Sequence, residues 1–183
     1  MKKEILKNLC TIYNGSTPST SNQEYYGGDI IWITPKDLSI QNKKYILKGE
    51  RNITKEGLKQ VKSNLLPRGT VLLSSRAPIG LLSIAKQELV TNQGFKNLVV
   101  NEEILNNEFL YYYLKTKIID LENLGTGTTF KEISKAALEN FLVIFPNLSI
   151  QKKIADILTA IDNKISLNNQ LNDNLPNVYS TFT

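Results

Sequence analysis

The sequence contains no histidine and one cysteine, Cys10. A lone thiol forms no internal disulfide, and without imidazole the commonest metal ligand and general base near neutral pH is missing. Zinc chemistry and a histidine-based catalytic triad are excluded. Long apolar runs are missing too: none reaches the roughly 18 residues of a membrane span, and the opening "MKKEILKNLC" lacks the apolar stretch of a secretory signal. The expectation is a cytoplasmic protein with no membrane partner. Nucleotide signatures are equally scarce. No Lys-Ser or Lys-Thr pair follows a glycine as in GxxxxGK[ST], and no G-x-G-x-x-G follows a strand, so nucleotide binding loses its best support and no cofactor is expected.

What is present suits one domain with an appended element: 183 residues, 41% of them hydrophobic, can bury a single core with some length to spare. The formal net charge is +5. Frequent Lys, Asn and Ile read as an AT-rich coding bias, which makes the distribution of charge more telling than its sum. Between Lys36 and Arg76 stand ten basic residues (Lys36, Lys43, Lys44, Lys48, Arg51, Lys55, Lys59, Lys62, Arg68, Arg76) against Asp37, Glu50 and Glu56, a surplus of seven. Such a block is the electrostatic footprint of a polyanion, because each neutralised phosphate releases condensed counterions. A solvated lysine-rich face is the alternative.

Periodicity supplies the elements. "GDIIWITP" reads as a strand closed by Pro35, and "GTVLLSSRAPIGLLSIA" as two strands joined by a turn at Ala77 to Gly80. "TKEGLKQV" is a short helix capped by Thr54, and "FLYYYLKTKIIDL" places Leu110, Leu114, Ile118 and Leu121 at helical spacing, with Tyr111 to Tyr113 expected in the core rather than as a base-stacking platform. "FLVIF", ended by Pro146, is a further strand. In "GTGTTFKEIS", Gly125 to Ser134, Thr129 and Glu132 have capping-box spacing, so a helix is expected to start there. The free N–H groups of such a start, behind two glycines, suit a phosphate. A well-capped loop with no ligand is the other reading.

The last segment differs in kind. Ile150, Ile154, Ile157, Ile161, Leu171 and Leu175 fall on the two alternating core positions of a heptad, and Leu158 and Ile165 widen the stripe. A helix from about Ser149 to Asn174 would span roughly 40 Å, more than its own domain needs. Asn168 sits at a core position, where a polar group penalises wrong registers. The expected fold is therefore α+β: a globular domain of mixed β-sheet and short helices over residues 1–147, a long amphipathic dimerisation helix over 148–176, and a tail over 177–183.

Six strings in order, "GSTPST", "GGDIIWITPKDL", "LPRGTVLLSSRAPIGLLSIA", "TNQGFKNL", "GTGTTFKEIS" and "PNLSIQKKIADILTAIDNKI", closely resemble one target-recognition domain and its following helix in specificity subunits of type I restriction-modification systems. The resemblance implies sequence-specific binding of double-stranded DNA by a non-catalytic subunit. Methyltransferase (modification) subunits, and an endonuclease/translocase subunit, would carry the chemistry. In keeping with this, the sequence has no Asn-Pro-Pro-aromatic methyltransferase motif and no S-adenosylmethionine-binding glycine motif. By the same resemblance Thr128, Thr129 and Lys131 are candidates for DNA phosphate contacts. Arg76, Asn92, Gln93 and Lys96 are candidate backbone contacts or loop braces. The motifs recur in domains that read different targets, so base readout is expected between them, chiefly over Ile40 to Lys62, where Lys43, Lys44 and Arg51 would reach guanine edges. Lys36, Lys55 and Lys59 add to the expected DNA-binding surface. The usual subunit of this family has two recognition domains and two long helices paired antiparallel, and this sequence has one of each. That leaves a half-size subunit that homodimerises, or a truncated fragment that binds methyltransferase or a full-length specificity subunit without reading DNA productively.

Overall fold

The run Val71 to Ser74 does not alternate between apolar and polar residues, as expected of a strand covered on both faces. The computed structural model, which describes residues 1–61, 65–127 and 131–174, places it in the middle of a sheet. In chain order the elements are β1 (Lys2–Ile5), α1 (Leu6–Leu9), β2 (Cys10–Asn14), β3 (Tyr26–Ile33), α2 (Pro35–Gln41), β4 (Tyr45–Ile46), β5 (Arg51–Ile53) and α3 (Lys55–Gln60). They continue with β6 (Val71–Ser74), β7 (Leu82–Ala85), β8 (Val90–Thr91), β9 (Phe95–Val100), α4 (Asn107–Lys115), α5 (Ile118–Leu124), α6 (Lys135–Glu139), β10 (Leu142–Phe145) and α7 (Leu148–Asn174). This is the expected α+β arrangement.

Strands β2, β9, β6, β7 and β4 form a sheet in that spatial order, antiparallel except where β7 meets β4. Side chains alternate across β6: Val71 and Leu73 enter the larger core with Ile84, Leu98, Leu110 and Leu114, while Leu72 faces a second core with Ile33, Ile46, Leu89 and Phe95. A smaller sheet, β5–β3–β8, packs Trp32, Ile53, Val61 and Val90. The ribbon of β1 and β10 ties the two ends of the domain together. Cys10 is buried at the start of β2, and burial, aided by the negative charge of Glu139, pushes its thiol up to about 12.

Pro35 closes β3 as expected and also opens α2, where its missing N–H costs nothing. Asp37 fixes this corner by accepting from the N–H groups of Thr34 and Glu50, both at 2.7 Å. Thr54 caps α3, accepting from the Gly57 N–H at 3.1 Å. Two expectations need correction. "FLYYYLKTKIIDL" forms two helices rather than one: the Thr116 hydroxyl donates to the Tyr113 carbonyl at 2.7 Å, and the Lys117 N–H reaches back three residues to Leu114 at 2.9 Å. The turn tightens and the chain leaves the helical path. The second is the helix expected to start at Thr129, which begins only at Lys135.

The long helix α7 has 27 residues, about 40 Å of helix. Its first turns lie on α4: Gln151 and Ala155 are buried, Ile154 packs partly against the larger core, and Asp162 accepts from the Tyr112 hydroxyl at 2.7 Å. From Asn163 to Asp173 every residue is exposed. Among the described residues no helix is long and apolar enough to cross a membrane.

Candidate nucleic-acid interface

Short polar segments far apart in sequence meet at a cleft of about 580 Å³, which Gly15, Arg76, Gln93, Lys96, Thr126 and Glu132 help to line. Glycine is required at position 15: an added Cβ would stand 1.9 Å from the Asn92 carbonyl oxygen. With that clearance the loop "GSTPST" lies against "TNQG". The Ser16 N–H donates to the Thr91 carbonyl at 2.8 Å, and the Thr17 hydroxyl donates to the Gln93 side-chain oxygen. Trp32 and Tyr26 hold the loop from below, donating to the carbonyls of Ser16 (3.2 Å) and Pro18 (2.9 Å). Asn92 braces its own turn by accepting from the Gly94 N–H at 2.9 Å.

The far wall of the cleft is the loop read as a helix start. Instead, Thr126 and Glu132 exchange backbone hydrogen bonds at 3.1 and 3.0 Å, and the Ile133 N–H donates to the Ser75 carbonyl at 2.9 Å. The described residues on either side of 128–130 are thus pinned to each other, and the helix begins only at Lys135, capped by Ser134. Thr128 and Thr129, candidates for phosphate contact, lie outside the described residues, while Lys131 is exposed at the base of the loop. Glu132 does not cap a helix. Its carboxylate accepts from Lys96 Nζ at 3.1 Å and from Arg76 Nε at 3.0 Å.

Lys96 explains why that carboxylate is needed. Its side chain is 6% exposed and also donates to Ser75 Oγ at 3.3 Å. A buried ammonium without a counter-charge is strongly destabilising. Burial pushes the Glu132 carboxyl up, but the hydrogen bonds and charges of Lys96 and Arg76 outweigh it and hold the group below its ordinary value. A carboxyl depressed on folding stabilises the fold above its unfolded pKa and loses that contribution as pH falls through the folded one. The pinning of this loop should therefore weaken only below the ordinary glutamate range. Glu132→Ala, which strands Lys96, is expected to cost about 2–3 kcal/mol in urea unfolding near neutral pH. The difference from the parent protein should shrink in acid.

The other candidate lysines and arginines differ in their surroundings. Arg51 is exposed on β5 with its guanidinium 5.0 Å from the centre of the Tyr26 ring, and Lys55 and Lys59 are exposed one turn apart on α3. Lys36 is exposed on α2 and paired with Glu50 at 2.7 Å. Lys43 is exposed as well, and Lys62 lies outside the described residues. Lys44 is in a different situation: its side chain is 7% exposed, and its ammonium meets Glu108 at 3.0 Å beneath α7. The structure thus gathers Arg76, Gln93 and Lys96 around one cleft, sets Arg51, Lys55 and Lys59 on the β5–α3 unit, and turns Lys44 inward. Sequence reasoning missed Thr126, Glu108 and the pairing role of Glu132. The available signal for Glu132 was a carboxylate inside an otherwise cationic and hydroxyl-rich loop, which marks an internal counter-charge as readily as a cap.

The family model for the type I restriction modification DNA specificity domain matches residues 1–177. The chain belongs to this family. It is 42% identical over 175 residues to the type I restriction enzyme MjaIX specificity subunit of Methanocaldococcus jannaschii, covering 94% of this chain and 40% of that protein. Similarity to the HindI specificity subunit of Haemophilus influenzae is 30% over 175 residues, covering 88% and 37%. The fold is that of the HsdS subunit from Thermoanaerobacter tengcongensis, with a TM-score of 0.69 at 21% identity over 93% of this chain and 39% of that one. These relatives are named as specificity subunits, in keeping with the DNA specificity domain that the family model describes. The chain spans about 40% of the length of these two curated relatives.

Proposed function

We propose that the chain is a half-size specificity subunit that dimerises through α7 as a coiled coil. It reads a bipartite palindromic DNA target and seats methyltransferase subunits, and with them an endonuclease/translocase subunit. One observation carries this reading: α7 uses two different faces. Gln151, Ala155, Thr159 and Asp162 turn toward α4, while Ile150, Ile157, Ile161, Ile165 and Leu171 are exposed along another side. At about 100° per residue, Ile157 lies on nearly the opposite side of the helix from Ala155. Ile157 is 63% and Leu171 57% exposed, far more than an isolated surface helix needs to tolerate. An apolar stripe of this kind marks an association surface. Asn168 lies on the same stripe, where it would set the register of the pair. Ile154 and Leu158, half-buried at its edge, are shared between the domain and the seam, and Leu175 lies outside the described residues.

DNA faces the cleft and the β5–α3 unit in this reading. Arg76 at the cleft rim, Lys131 on the pinned loop, and Lys36, Lys55 and Lys59 would meet phosphates; Arg51 and Lys43 would reach bases. The stack of Arg51 on Tyr26 limits the rotamers of a side chain meant for bidentate contact with guanine. Arg51→Ala is expected to cost about 1–3 kcal/mol at one base position and relax preference there. Lys131→Ala should weaken all targets alike and lower the slope of log affinity against log salt by about one. Fluorescence titration on single-base variants of the target separates the two. A changed base preference with an intact slope for Lys131→Ala would reverse the loop assignment.

A second reading has the chain bind methyltransferase or a full-length specificity subunit without reading DNA productively. Gel-shift competition with the purified chain and methyltransferase on random duplexes decides between them. Enrichment of one sequence supports the recognition subunit, and retention of all duplexes alike supports the fragment.

A further inference from the structure

We infer that Lys44 and Glu108 are positioning residues that fix the angle at which α7 leaves the domain, and thereby set the spacing between half-sites. The network joins three parts of the chain. Lys44 stands immediately before β4, in the stretch expected to read bases; Glu108 and Tyr112 are on α4; Thr159 and Asp162 are on α7. Lys44 Nζ meets the Glu108 carboxylate at 3.0 Å and donates to Thr159 Oγ1, and its ammonium lies 4.7 Å from the centre of the Tyr112 ring. Thr159 Oγ1 lies 3.2 Å from Glu108, Tyr45 donates its hydroxyl to the same carboxylate, and Tyr112 donates to Asp162 at 2.7 Å. A half-buried network of charged groups holds a geometry more sharply than apolar contact does, because any slip leaves a charge unpaired.

Its position gives it leverage. The last α7 residue bonded to the domain in this network is Asp162, and the helix continues to Asn174, about 18 Å further at 1.5 Å per residue. A tilt of roughly 10° about that point moves the tip by about 3 Å, close to the 3.4 Å rise of one base pair. Two such arms in a dimer double the effect. Lys44 therefore acts on specificity through the helix and not by touching DNA. For its consequence on DNA this inference rests on the dimeric reading above.

The test uses the full chain with Lys44→Met and Glu108→Gln combined, so that no unpaired charge is left buried, and thermal melting confirms that the variant is folded. Spin labels at Lys48→Cys and Asn169→Cys, diluted with unlabelled chain, report the distance from the reading stretch to the outer half of α7. Buried Cys10 stays unlabelled. The expected result is a narrow distance distribution in the parent and one at least about twice as wide in the variant. On duplexes whose half-site spacing differs by one base pair, the parent should prefer one spacing and the variant should lose most of that preference, with base preference and salt slope unchanged. An unchanged distance width, or a retained spacing preference, overturns the inference. A salt slope lower by about one does so too, since it makes Lys44 a phosphate contact. A parent without any spacing preference, but with a distance distribution that widens in the variant, sinks the palindromic reading and leaves the brace standing.

Discussion

Ile161→Glu is expected to leave the protein folded and make it monomeric at micromolar concentration. Ile161 is half exposed on α7, beyond the buried turns at Gln151 and Ala155, so its replacement removes little from the domain's own core. In an antiparallel pair of these helices it lies beside the two-fold axis. Two carboxylates would then be enclosed together without partners, which costs several kcal/mol. A loss of about 3 kcal/mol raises the dissociation constant by roughly a hundredfold. Analytical ultracentrifugation of both proteins reads this directly, and a parent that is itself monomeric would remove the dimer.

Gln151→Leu should have the largest effect on stability. Gln151 is fully buried where α7 meets the domain. It accepts from the Asn106 N–H at 2.9 Å and donates to the carbonyls of Ile104 at 3.0 Å and Pro146 at 2.9 Å. One side chain thus satisfies three backbone groups from the loop ahead of α4 and the end of β10. Leucine fills a similar volume but leaves all three unpaired, at about 1–3 kcal/mol each before relaxation. A net loss of about 3–4 kcal/mol is expected, a fall of roughly 10 °C in melting temperature for a domain of this size. Glutamate at this position keeps the acceptor and loses both donors, so it should rescue little. A melting temperature within a degree or two of the parent would mean that α7 is not anchored by this residue.

Gln151 also shows what the sequence made legible. The helix that carries it was readable from its isoleucine spacing, and so were the strands around Val71 and Leu82, because one-dimensional periodicity reports which face is buried. The cap at Thr54 and the strand end at Pro35 were equally local. What escaped were pairings between distant residues. A glutamine within an amphipathic helix looks like part of the polar face, and nothing in "SIQKK" tells that Ile104 and Pro146 present their carbonyls to it. Glu132 misled for the same reason: its spacing from Thr129 fits a capping box, yet Lys96 and Arg76 claim its carboxylate from other elements. Lys44 was grouped with the surface cations because charge counts carry no depth. In the cleft, Arg76, Gln93 and Lys96 were singled out through the family resemblance, while their common location needed the fold.

The proposed function is tested most directly by mapping methylation on random-sequence DNA treated with the purified chain and methyltransferase subunits. Two identical subunits related by a two-fold axis must read an inverted repeat. A helix of about 40 Å separates the domains by a little over one turn of duplex, which is roughly 34–36 Å. The expected map is therefore two short identical half-sites in palindromic orientation, separated by a gap of several unspecified base pairs. An asymmetric target, or methylation with no sequence preference, would contradict it.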